Sequence, residues 1–103
     1  MNNQEFMIEV ENSHNRSKRL LLRKEKEYSD EKDRLIQFYR AGAADQVPPT
    51  QSLLSMAVKH YTSISDMVKD PHAFSLKSWN GKITDLRNYT YLLDALIRDL
   101  GIK

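Results

Sequence analysis

The stretch 77-KSWNGKITDLRNYTYLLDALIRDL-100 constrains the fold more than any other part of this chain. At about 100 degrees per residue, Ile83, Leu86, Tyr89, Leu93, Leu96, Ile97 and Leu100 form one apolar arc, the mark of an amphipathic helix. A helix with a single apolar stripe has to bury it against other elements. Two polar residues disturb the pattern. Asp85 falls inside the arc, between the directions of Leu92 and Leu96, and Asn88 lies at one edge, while Arg87, Asp94 and Arg98 point away. A carboxylate in a core-facing stripe is costly unless it is paired, protonated or bound to a metal.

The rest of the chain supplies partners for that helix. Helical periodicity predicts a first segment from about Gln4 to Tyr28, broken near 12-NSHN-15, with Phe6, Val10, Leu21 and Tyr28 on one face. Ser29 or Asp30 is placed to cap a second segment, EKDRLIQFYRAGAA, with Leu35, Phe38, Tyr39 and Gly42 inward. The turn VPP then leads into a third helix, from about Thr50 to Val68, whose broad face carries Leu53, Met56, Ala57, Tyr61, Ile64 and Val68. Asp70-Pro71 closes it, His72 to Lys77 reads as a loop or short turn, and the last helix is expected over about Gly81 to Leu100, with Asn80-Gly81 as a turn or its entrance.

No strand alternation, internal repeat or linker interrupts this series. The expectation is an all-α compact bundle of about four helices in one domain over residues 1–103. An apolar fraction of 40% is lean for such a bundle, so dimerisation, or a first helix swapped between subunits, is the alternative way to complete the core.

Charge and composition narrow the function classes. The net charge of +2 is small, but 16-RSKRLLLRKEK-26 gathers six bases and one acid, whereas the first dozen residues carry Glu5, Glu9 and Glu11 and no base. Such a cluster can meet phosphate, or it can be a solvated helix face. The absence of cysteine excludes disulfides and thiol chemistry. With no basic leader before an apolar run and no membrane-length apolar stretch, a soluble cytoplasmic protein without membrane contact is expected.

The candidate chemistry centres on the polar intruders. His60 points between Met67 and Leu53 in the third helix, placed to donate to Asp85 or to orient a ligated carboxylate. If Glu27 or Glu31 meets Asp85 across the bundle, the oxygen-rich pocket suits hydrated Mg²⁺ or Mn²⁺, which bridges phosphate oxygens and orients water. The competing reading is architectural: acids on the surface or at caps, and a satisfied Asp–His or Asp–Lys pair inside. Phosphate loops, HExxH and EF-hand spacings are absent.

The segments KEKEYSDEKDRLIQFYRAGA, AVKHYTSISD and GKITDLRNYTYLLDALI resemble small phage-associated proteins. More distantly, they resemble the all-α nucleotide pyrophosphohydrolase superfamily that includes MazG-like proteins and dimeric dUTPases. That resemblance implies Mg²⁺-dependent cleavage of a nucleoside triphosphate or modified nucleotide, with Glu27, Glu31 and Asp85 as catalytic metal ligands. Arg34, Lys59, His60 and Asn88 become the substrate-binding set, Lys59 or Arg34 at phosphate and Asn88 at a base, sugar or neighbouring acid. A homodimer is also implied. This chain departs from the family's late E-x-x-D pair, offering Lys82 and Asp85, a base in place of the first acid. Two binding alternatives stand beside the enzyme: an accessory protein that engages a host or phage protein, and a nucleic-acid binder using Lys18, Arg19, Arg23 and Lys24.

Overall fold

In the computed structural model, residues 1–27 and 33–103 are described, with side chains from residues 1–24 and 33–103. The fold is an all-α bundle of four helices, with no strand among the described residues. In order they are α1 (Asn3–Glu27), α2 (Ile36–Asp45), α3 (Pro49–Met67) and α4 (Leu76–Asp99), with a 3-10 turn at Pro71–Ala73 before α4.

Local chemistry sets these boundaries. The Asn2 carboxamide accepts from the Glu5 N–H at 2.8 Å, capping α1, and Glu5 sits favourably in the first turn. The helix then runs through 12-NSHN-15 without the expected break, and there the His14 side chain and the Ser13 carbonyl meet α4. Ser29 and Asp30, the expected caps of α2, and Tyr28 lie outside the described residues; at its entrance the Asp33 carboxylate accepts from Leu35 N–H at 2.9 Å. The α2–α3 corner is tight. Gln46 adopts the left-handed conformation at φ 59°, Val47 N–H donates to Gly42 O at 2.9 Å, and Pro49 opens α3 from an extended Pro48. Gly42 is required there: an added Cβ would lie 2.7 Å from Val47 O and 3.1 Å from Pro49 N.

The start of α4 differs from the sequence expectation. The Ser75 hydroxyl accepts from Ser78 N–H at 3.1 Å, so the helix begins at Leu76 and Gly81 is an exposed interior position, not an entrance. Trp79 packs in this first stretch, donating from Nε1 to Pro71 O at 3.0 Å and meeting the Phe74 ring edge-on.

The apolar core lies between α2, α3 and α4. Phe38, Leu53 and Leu96 are fully enclosed, Leu35 is buried beside them, and Tyr39, Met56, Tyr89, Leu92 and Leu93 pack around. Periodicity located most of this set but overextended the α3 face. Tyr61 and Val68 are 63% and 57% exposed, while Met67 and Ser52 are buried in their stead. Helix α1 joins through α4 alone among the stronger helix pairings, and its seam is polar. Arg87, expected to point away, donates to Ser13 O at 3.0 Å and to the buried Ser17 hydroxyl at 3.1 Å. The His14 Nδ1 and Tyr91 hydroxyl stand 2.7 Å apart, and Arg34 donates to Leu21 O at 2.6 Å. No helix is long and apolar enough to cross a membrane among the described residues.

Candidate functional site

The polar seam between α1 and α4 opens into two adjoining depressions. Helical spacing places Arg16, Arg19, Arg23 and Lys24 along one wall of an open groove of about 660 Å³, and Asn80, Gly81, Thr84 and Asp85 of α4 form the other. A smaller pocket of about 160 Å³ continues inward, shares Leu20, Lys24 and Asp85 with the groove, and ends on Arg34, His60, Asn88 and Tyr89. Four cations therefore face one carboxylate in the outer groove.

The sequence placed Asp85 inside the apolar arc; the structure places it at the boundary between groove and pocket. Its side chain is 37% exposed and its Oδ2 lies 3.9 Å from His60 Nδ1. That is ion-pair distance when the imidazole is protonated and too long for a hydrogen bond. A pair this exposed contributes little to stability. The His60 ring also packs on Tyr89, with centroids 5.2 Å apart. Asn88 is the more deeply set residue. It lines the pocket at 7% exposure, and its Oδ1 is buried without a hydrogen-bond partner among the described residues.

Of the sequence-predicted site, Arg34, His60, Asp85 and Asn88 come together. Lys59 does not. It is exposed and borders a separate depression with Ala41, Asp45 and Ser55, because it sits one position from His60 on a helix whose adjacent residues diverge by about 100 degrees. Lys18 of the expected cationic set is exposed and does not line the groove, whereas Arg16 does. Gln37, Thr84 and Tyr89 were missed; Thr84 and Asn88, spaced i,i+4, carry the signal that could have marked a second buried polar line on α4.

The expected magnesium centre requires correction. Among the described residues, no group of three or more His, Cys, Asp or Glu side chains is placed to hold a metal ion. Asp85 has an imidazole and a row of cations as neighbours in place of further carboxylates, and the position expected to bring another acid is Lys82. Glu31 and the Glu27 side chain lie outside the described residues; Glu27 ends α1. Among the described residues, Asp85 therefore stands without the companion carboxylates that a magnesium-dependent hydrolase centre needs. No family model, curated protein or solved structure matches the chain.

Proposed function

We propose that the chain is a binding module whose α1–α4 groove takes the phosphate backbone of a single-stranded nucleic acid. The observation that carries this reading is the row of Arg16, Arg19, Arg23 and Lys24 along one wall of an open groove. From Arg16 to Lys24 the helix advances about 12 Å at 1.5 Å per residue, enough for successive backbone phosphates to meet successive side chains. Guanidinium groups suit phosphate because their planar fork of donors matches its oxygens.

Size favours a strand over an enclosed mononucleotide. The inner pocket holds about 160 Å³, below the roughly 300–1,000 Å³ of sites that bury a small molecule. The outer groove is larger but open, which suits a chain passing through. Pocket residues Asn88, Tyr89 and His60 add hydrogen-bonding and aromatic surface at the inner end of the groove.

The test is fluorescence anisotropy with a labelled single-stranded oligonucleotide over a salt series. Four phosphate contacts predict that log K falls against log salt with a slope of about −3, at roughly 0.7 per contact on a single strand. Replacing Arg19 and Arg23 by alanine removes two contacts and brings the slope to about −1.4. Salt-independent binding, no binding at low salt, or an unchanged slope in the double variant would overturn the reading.

A further inference from the structure

Helix α1 carries its two charge blocks on one stripe. Glu5, Glu9, Asn12, Arg16, Arg19 and Arg23 follow at intervals of 4, 3, 4, 3 and 4 residues, the spacing that keeps side chains on one helix face. The acids occupy the N-terminal half and the arginines the C-terminal half. They cannot meet within one chain. Arg23 follows Glu5 by eighteen positions of one continuous helix, about 27 Å, and Arg19 follows Glu9 by ten, about 15 Å.

The stripe is also open to solvent at both ends. Every residue from Asn3 to Asn12 is exposed, with Phe6, Met7 and Ile8 at 55%, 59% and 56%, and Leu22 is 53% exposed at the far end. Among the described residues no ion pair involves Glu5, Glu9, Arg19 or Arg23. Glu9 has a 3.5 Å contact from Asn12, and the Glu5 backbone N–H is held by the cap.

A two-fold axis through position 14 of α1 makes the stripe complementary to itself. It sets Glu5 opposite Arg23, Glu9 opposite Arg19 and Asn12 opposite Arg16, and symmetry repeats every pair. We infer that two copies of this chain pair through antiparallel α1 helices, the acidic half of one lying along the cationic wall of the other's groove. On the opposing α4 wall Gly81 is exposed and presents no side chain to the groove. Charge complementarity identifies the occupant. An unrelated acidic helix would need the same register by coincidence, whereas a second copy supplies it from the same residues.

The pairing stands independently of the nucleic-acid reading, but both use Arg19 and Arg23, so strand and second copy exclude one another in the groove. Sedimentation velocity of the full chain at low salt and without nucleic acid tests it. The wild type is expected to sediment as a concentration-dependent dimer. E5R/E9R alone and R19E/R23E alone are each expected to lose at least tenfold in association, and an equimolar mixture of the two is expected to recover the dimer, because both sets of pairs are then restored. All four side chains are exposed, so helical circular dichroism is expected to be unchanged. A monomeric wild type, a variant that associates like wild type, or a mixture that remains monomeric overturns the inference. Oligonucleotide binding separates the two readings: E5R/E9R retains it and R19E/R23E loses it when the groove binds nucleic acid, whatever the outcome for the dimer.

Discussion

Asn88→Leu is expected to stabilise the protein, against the usual direction of a substitution at a buried position. Asn88 is 7% exposed, and its Oδ1 is shut away from solvent without a protein partner among the described residues. A buried polar group left unsatisfied costs about 1–3 kcal/mol, and an apolar group of similar shape removes that cost. Imperfect fit of the branched side chain takes back up to about 1.5 kcal/mol. The net gain is about 1 kcal/mol, which raises the melting temperature by about 4–8 °C in a domain of this size.

Urea denaturation followed by circular dichroism measures this directly, with an unchanged m-value as the sign that folded and unfolded states keep their compactness. A loss of 1 kcal/mol or more at constant m would refute the reasoning and show that the carboxamide oxygen is satisfied in solution. Oligonucleotide affinity is expected to fall in the same variant, since the pocket loses its hydrogen-bonding floor. Opposite movements of stability and binding are the behaviour of a residue kept for its site at a cost to the fold.

The two other predictions concern backbone crowding and proton linkage. Gly42→Ala is expected to destabilise by about 1–2 kcal/mol, because overpacking costs roughly 1–3 kcal/mol and its Cβ at 2.7 Å meets the Val47 carbonyl, which cannot swing aside; Gly81→Ala, with open space around it, is expected to gain about 0.8–1 kcal/mol from helix propensity, so equal effects in thermal melts would contradict this account. The Tyr39 hydroxyl donates to Asp99 Oδ2 at 2.7 Å, and this hydrogen bond, with desolvation and the charges of Asp99 and Asp33, raises its pKa above 10.0. The unfolded chain therefore releases this proton first, so the contribution is complete below pH of about 10 and is lost as pH rises through the folded-state value. Ultraviolet titration is expected to show a late-ionising component that is lost in Tyr39→Phe; a late component of undiminished amplitude in that variant would refute it.

How far the sequence disclosed the molecule depended on what each helix touches. The order of four helices, the α3 boundaries and the enclosed Leu35, Phe38, Leu53 and Leu96 follow from apolar spacing and proline placement, both local signals. Tyr61 and Val68 share that spacing but remain exposed, because α3 has more apolar surface than α2 and α4 cover. The entrance of α4 was misread for a different reason. Asn80-Gly81 has the chemistry of a turn, yet the Ser75 cap and the helical hydrogen bonds that follow it carry the helix through. Asp85 was read as core-facing, whereas its side chain is 37% exposed at the groove; its imidazole neighbour His60 was identified. Its surroundings were not legible, since the row of arginines comes from the far end of the sequence, and α1 was expected to break before presenting it.

Asp85 and Asn88 stand out for one structural reason. Helix α4 is packed on two sides, by α3 through leucines and aromatic rings and by α1 through hydrogen bonds that involve Arg87 and Tyr91. A helix wedged between two partners has a strip that neither covers fully, and polar residues inside its apolar arc line the cleft there. The α1 side of that cleft is held by polar contacts to Ser13, His14, Ser17 and Leu21, with little apolar burial beyond Leu20 and Leu21. Elements with few buried apolar contacts sit at the low end of a protein's local stability range. Among the described residues, the groove wall that bears the cations thus also belongs to the most weakly attached helix. Under either proposal, a strand or a second α1 that neutralised those cations would bind the docked helix and add its own free energy to keeping it docked, which would couple occupancy of the groove to completion of the bundle.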